Sequence, residues 1–216
     1  MASIGLAEFA REKKISLRRA QQLAARGQIN AKKIGNVWLV DSNVLISSLR
    51  SRRPLSPRSA AALADALDNR PFPELDSQER SRLRKRLDAL AGPDAPELIR
   101  DWLSERQLEV RDLAANARDL DLILNDERVA RGGISDARSR LSSAGEAELY
   151  AAKRDVEPVA RKWMLVSSDR PNVRIHVVAE LPDGDIPLAW ILADLAERGG
   201  PRESQQVREL LQGALA

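Results

Sequence analysis

Residues 16–40, SLRRAQQLAARGQINAKKIGNVWLV, decide the fold of the first part of this chain. Leu17–Arg26 carries its apolar residues at helical spacing, which predicts a helix with one buried face. Ser16 is placed to cap the start of that helix, because its hydroxyl can accept a hydrogen bond from the first turn. Gly27 is placed to end it, since glycine adopts the left-handed conformation at little cost.

A short β-hairpin is predicted directly after this helix. Gln28–Ile34 and Val37–Val40 have the composition of strands, and Gly35-Asn36 between them favours a tight turn. A hairpin of this size is not stable alone in water, so we expect it to pack on neighbouring helices.

Two further helices are predicted around this stretch. Ser3–Lys13 has apolar residues at helical spacing with Ser3 as its cap, and Ser42–Leu49 is expected to close the unit. Helix, turn, helix and hairpin in this order predict a winged helix-turn-helix over residues 1–50.

The second predicted helix has a surface rich in arginine and glutamine. Arginine is suited to bidentate contact with guanine and glutamine with adenine, so this helix can enter the major groove of DNA. Lysines at the hairpin can bind backbone phosphates. The predicted DNA-contacting residues are Ser16, Arg18, Arg19, Gln21, Gln22, Arg26, Lys32, Lys33 and Asn36.

The charge of the chain is unevenly distributed along its length. Residues 1–58 hold twelve Lys or Arg against three acidic residues, a net charge of about +9, whereas residues 59–216 hold 23 against 29, about −6. A basic surface exposed only to solvent would account for the charge alone. The placement of the basic residues on the predicted helix and hairpin favours a polyanionic partner, double-stranded DNA.

The stretch SLRRAQQLAARGQI, followed by a lysine pair and IGNVWLVD, resembles the helix-turn-helix of excisionase-type and MerR-like proteins. Those families commonly have a glycine step at the end of the recognition helix and a GxxWxV hairpin after it. The resemblance covers residues 3–49. It implies DNA binding through the second helix, with the hairpin as a wing.

The rest of the chain is predicted to be a linker and one larger domain. Pro54 and Pro57 interrupt the helical pattern of residues 51–58, whose arginines either extend a phosphate contact or form a solvated tether. Residues 59–216 are predicted to form an α-rich α+β domain, so the chain as a whole is mainly α with small β elements. The predicted helices are Ser59–Leu67, Asp76–Leu90, Pro96–Gln107, Ser143–Ala152, Pro187–Glu197 and Arg202–Leu215.

The β content of this larger domain is predicted in one hairpin-like pair. Trp163–Ser167 and Asn172–Val178 are apolar enough for strands, and the polar turn between them predicts antiparallel pairing. Alternation would then place Ile175 and Val177 on one face and His176 on the other. The apolar region 165–191 could also line a ligand pocket, with no ligand class indicated.

No catalytic set is evident in the sequence. His176 is the only histidine and cysteine is absent, so the usual transition-metal sites cannot be built, and a satisfied or surface histidine is favoured over a catalytic base. Asp119, Asp121 and Asp126 lack the spacing of a calcium loop. We therefore expect no catalytic residue, no metal, no cofactor and no enzyme activity.

Three stretches resemble antitoxin-type regulators that are paired with a nucleotidyltransferase-like toxin in abortive-infection systems. They are RPLSPRS (53–59), LSSAGEAELY (141–150) and LVSSDRPNVRIHVV (165–178). The resemblance implies a repressor of its own operon whose larger domain binds a cognate toxin. The alternative is an excisionase-like architectural factor that bends DNA.

The chain has the composition of a soluble intracellular protein. No apolar run approaches the length of a membrane span, no secretory signal layout is present, and the absence of cysteine fits a reducing cytoplasm. We therefore expect a cytoplasmic location and no membrane partner. A homodimer would suit paired DNA half-sites, although no zipper pattern is visible.

Overall fold

In the computed structural model of the protein, the chain forms two compact units, Met1–Arg50 and Ser51–Ala216. Helix is the more abundant structure and strands form two small sheets, which confirms the prediction of a mainly α chain with β elements. No helix in the described part of the chain is both long and apolar enough to cross a bilayer. The described residues are 3–12, 16–25, 31–35, 37–41, 53–71, 74–104, 108–142 and 145–216.

The first unit combines two helices with a three-stranded antiparallel sheet in the order β1-β3-β2. Its elements are β1 (Ser3–Gly5), α1 (Leu6–Glu12), α2 (Leu17–Ala25), β2 (Ala31–Ile34) and β3 (Val37–Asp41). Its core consists of buried residues from both helices and the central strand, which are Leu6, Phe9, Ala10, Ala20, Ala24 and Val40.

The start of the first helix differs from the prediction. Ser3 lies in β1 opposite Asp41 instead of at the start of a helix, and α1 begins at Leu6. Ile4 pairs with Val40 in the same ladder, and a β-branched side chain packs well in such a position. The predicted closing helix Ser42–Leu49 lies outside the described residues.

Two helices of the second unit begin at side-chain caps. Ser56 accepts a hydrogen bond from the backbone N–H of Ser59, and Asp76 forms a reciprocal capping box with Glu79. The helices are α3 (Pro57–Leu67), α4 (Ser77–Leu90), α5 (Ala95–Trp102), α6 (Leu120–Ile123), α7 (Val156–Lys162), α8 (Leu188–Arg198) and α9 (Pro201–Leu215).

A four-stranded sheet lies between two hydrophobic clusters in this unit. Its strands are β4 (Glu109–Leu113), β5 (Val129–Arg131), β6 (Ala147–Ala152) and β7 (Val173–Val178), in the order β4-β7-β6-β5. The central pair β6 and β7 is parallel and the outer pairs are antiparallel. α6 and α7 pack on one face of the sheet, while α8 and the other helices pack on the opposite face.

Two predictions for this sheet are wrong. Ser143–Ala152 was expected to be helical, but Ala147–Ala152 is the central strand β6 and is buried along its whole length. Trp163–Ser167 does not pair with Asn172–Val178, because only Val166 forms a bridge, and its partner is Ala114. Burial on both faces overrides the helix propensity of alanine and glutamate in β6.

Asp126 joins the segment before β5 to α7. Its fully buried carboxylate accepts hydrogen bonds from Arg128, Lys162 and the indole N–H of Trp163. The hydrogen bonds from Arg128 hold the pKa of the Asp126 carboxyl far below its ordinary range, and Lys162 and Trp163 lower it further against the opposing effect of burial.

The low pKa of Asp126 predicts a loss of stability in acid. The unfolded carboxyl titrates near the ordinary value of about 4, so its stabilising contribution is fully present above that pH and is lost as the pH falls below it. We expect the urea midpoint of the wild type to fall more between pH 6 and pH 3 than that of Asp126→Asn. Equal falls would show that this carboxylate does not control acid stability.

Candidate functional site

α2 presents one buried and one exposed side. Ala20 and Ala24 are buried against the core, whereas Arg18 and Gln21 are exposed, as the helical spacing predicts. Ser16 is exposed and immediately precedes the helix. Arg19 and Gln22 are also predicted to contact DNA and belong to the same helix. Their side chains are not among those that the structure describes.

The predicted lysine pair lies on β2 of the hairpin. Lys32 is opposite Leu39 and Lys33 is opposite Trp38 in the ladder with β3, and the Lys33 side chain is exposed. Gly35 turns the chain with a φ of 60°, the left-handed conformation expected of a glycine there. Two predicted contact residues, Arg26 and Asn36, lie outside the described residues.

Three exposed cations in the described part of the first unit form no ion pair with its acids. Within the described part of this unit, Arg11, Arg18 and Lys33 are exposed and have no ion-pair partner. Their charges are therefore free to interact with an anion from outside the chain.

A group of ionisable residues is buried in the second unit, between the sheet and α8. Glu148 from β6, His176 from β7 and Asp194 from α8 are each at most 2% exposed. His176 Nε2 lies 2.9 Å from Glu148 Oε1 and 3.7 Å from Asp194 Oδ1. We refer to these three residues as the buried triad.

Neighbouring groups satisfy the remaining oxygens of the buried triad. Arg198 Nε and the backbone N–H of Ile134 both donate to Glu148 Oε2, at 3.0 Å and 3.2 Å. The Tyr150 hydroxyl donates to the Asp194 carboxylate at 2.8 Å, and its ring stacks on the imidazole of His176. These charge-assisted hydrogen bonds thus link β6, β7 and α8 to the loop that contains Ile134.

Two glycines allow the loop to approach this network. A Cβ on Gly132 would lie 2.7 Å from the Tyr150 ring, and one on Gly133 would overlap the Glu148 carboxylate. Gly133 also has a φ of 42° and donates its N–H to Asp194. Gly132-Gly133 therefore fits the loop against the triad, a close approach that a residue with a side chain would prevent.

The buried triad has the chemistry of a metal site and the hydrogen bonding of an internal ion network. One atom from each residue could ligate a cation, since these atoms lie within 4.8 Å of one another. Each carboxylate is already occupied, however, and Arg198 supplies a positive charge to Glu148. We therefore assign the triad a structural role.

The charge state of Glu148 follows from its surroundings. Burial alone would raise the pKa of its carboxyl. The hydrogen bond from His176 and the positive charge of Arg198 outweigh burial and hold that pKa below its ordinary value. Glu148 is thus an ionised carboxylate, and its charge is stabilised by both His176 and Arg198.

The alternation of β7 predicts the face of His176 but not its partners. The prediction that His176 lies opposite Ile175 and Val177 is confirmed, because those two residues belong to the other hydrophobic cluster. Glu148 and Asp194 were not singled out, although each is an acid within an otherwise apolar run, AELYAA and LAWILADLA. A buried acid in such a run indicates a hidden ion pair.

Comparison of the chain with models of known protein families, with curated proteins and with solved structures found no match in any of the three. A function must therefore be inferred from the charge, burial and geometry of the residues themselves.

Proposed function

We propose that this protein binds double-stranded DNA through its first unit and represses the operon that encodes it. The observation that carries the proposal is the surface of α2, where Arg18 and Gln21 are exposed while Ala20 and Ala24 are buried in the core. α1 and α2 would act as the helix-turn-helix and the β2–β3 hairpin as its wing.

The chemistry of these residues fits DNA recognition. A helix of nine residues, Leu17–Ala25, can lie in the major groove, where arginine and glutamine read guanine and adenine edges. Lys33 on the hairpin would bind a backbone phosphate and fix the position of the helix. The unpaired cations of this unit would add sequence-independent attraction.

We further propose that the second unit binds a protein, in the manner of an antitoxin that captures a nucleotidyltransferase-like toxin. The support is the opposite sign of its charge, about −6 over residues 59–216, which suits a protein partner better than DNA. Two copies of the chain would place two α2 helices on paired half-sites.

Fluorescence anisotropy of labelled DNA from upstream of the gene tests the proposal. The full-length protein is titrated against that duplex and a scrambled duplex at two salt concentrations. We expect a preference for the upstream duplex that persists at the higher salt, because base contacts do not depend on counterion release.

Two other outcomes would count against this function. Equal and steeply salt-dependent binding to both duplexes would mean that only phosphates are bound, and would favour the architectural, excisionase-like alternative. No binding to either duplex would refute a DNA-binding role for the first unit.

A further inference from the structure

A cavity of about 470 Å³ lies in the second unit, far in sequence from the proposed DNA-binding residues. It lies between the end of α3, the turn at Arg138–Arg140, the start of α8 and one side of α9. Its size is within the range of small-molecule sites, roughly 300 to 1,000 Å³. The residues that α9 contributes are spaced along one helical face, namely Gln206, Glu209, Leu210, Gly213 and Ala214.

The wall of the cavity includes a buried amide, that of Gln206. Its side chain lines the cavity and the residue is only 8% exposed, yet it makes no hydrogen bond to any residue that the structure describes. An unsatisfied buried amide destabilises a fold. A polar group of a ligand in the cavity would satisfy this amide.

Arg140 supplies an uncommitted positive charge to the same cavity. It is exposed and has no acidic partner among the described residues, whereas the nearby Arg138 is neutralised by Asp136. Two acids also line the wall: Asp68 accepts the backbone N–H of Leu188 and lies 3.9 Å from Arg70, and Glu209 accepts the amide of Gln205.

Another cavity of the same unit provides a contrast. Arg174 and Arg198 line it, but each guanidinium is paired with a carboxylate, Asp112 for the first and Glu146 for the second. In that cavity both arginines are paired, and the amide of Asn172 is hydrogen-bonded to Ala115. Its described lining therefore gives no reason to expect a ligand.

We propose that the cavity between α3, α8 and α9 binds a small organic carboxylate that has an apolar body and a second hydrogen-bonding group. Arg140 binds the carboxylate, Gln206 binds the second polar group, and Leu67, Leu188 and Leu210 contact the apolar body. Ligand binding is an additional property of the chain and does not depend on the proposed DNA binding.

The test uses the full-length protein and 4-hydroxybenzoate as the probe, because this molecule combines a carboxylate, a ring and a hydroxyl. Calorimetry is expected to give a Kd of about 1 mM or tighter. The side-chain amide signal of Gln206 should shift during an NMR titration. 4-Hydroxybenzyl alcohol, which lacks only the carboxylate, should bind at least about tenfold more weakly.

Two variants and one matched control assign the residues. Gln206→Leu and Arg140→Asn should each weaken binding about tenfold, and asparagine tolerates the φ of 50° at position 140. Gln212→Leu, an exposed glutamine of α9 that does not line the cavity, should bind normally. The melting temperature of Gln206→Leu should be unchanged or higher, because an unpaired amide is removed.

Several results would overturn the proposal. They are absence of binding at about 10 mM probe, equal binding of the alcohol, unaltered affinity of Gln206→Leu, or a static Gln206 amide signal. A lower melting temperature for Gln206→Leu would also overturn it, because the amide would then be satisfied within the fold.

Discussion

The double substitution Arg18→Ala and Arg19→Ala is expected to weaken binding to the upstream duplex about 100-fold, because each lost arginine–guanine contact costs about 1.4 kcal/mol or more. Arg18 is exposed on α2, and Arg19 is the next residue of that helix. Anisotropy at fixed salt measures the change. Binding to the scrambled duplex should weaken less, since only phosphate contacts contribute to it.

The matched control is the pair Arg80→Ala and Arg84→Ala. Both arginines are exposed on α4, a helix of the second unit that is also rich in basic residues. The control removes the same two charges from the chain and should leave the affinity for the upstream duplex nearly unchanged. If both double variants lose affinity equally, α2 is not the recognition helix.

The substitution Glu148→Ala is expected to lower the free energy of unfolding of the second unit by about 3 to 5 kcal/mol. The carboxylate is hydrogen-bonded to His176 and Arg198, and its removal leaves the imidazole without this partner and the guanidinium without its buried counter-ion. Urea unfolding followed by tryptophan fluorescence measures the loss, because Trp190 packs against Tyr150 beside the triad. Glu148→Gln should lose less, since the amide keeps the shape and one acceptor.

Glu146 provides a matched control for Glu148, because both carboxylates contact Arg198. It also pairs with Arg198, at 3.0 Å, but its side chain is 53% exposed. Glu146→Ala should therefore change stability by less than about 1 kcal/mol. Similar losses for the two alanine variants would mean that burial of the triad does not strengthen its ion pairs.

Most helices of the second unit could be predicted from local chemistry. α3, α4, α8 and α9 begin within about two residues of the predicted starts. Their boundaries depend on signals close in sequence, such as the Asp76 capping box and the proline that opens α9. Local signals of this kind can be recognised without knowledge of the fold.

The sheet could not be predicted in the same way. β6 has the sequence AELYAA, in which alanine and glutamate favour a helix, and its strand conformation depends on burial between α8 and the second helical layer. The partners of β7 are β4 and β6, both distant in sequence. Pairing between distant strands leaves no local pattern from which to infer it.

The two candidate sites differ in the same way, because α2 can be predicted from local sequence whereas the buried triad cannot. The exposed side of α2 follows from helical spacing, and the buried Ala20 and Ala24 confirm that spacing. The partners of His176 come from a different strand and a helix, so the sequence could place its side chain on a face of β7 but could not identify Glu148 or Asp194 beside it.

The second unit joins segments that are distant in sequence, and this also affects how it reaches its folded state. Asp112 and Arg174, which join β4 to β7, are 62 residues apart, and Glu148 and Arg198 are 50 residues apart. Closing such long loops before any contact is gained slows folding, whereas isolated helical turns form quickly. During that interval the apolar edges of β6 and β7 are open to strands of other chains. Because association between chains depends on concentration and folding within one chain does not, dilution should increase the yield of refolded protein.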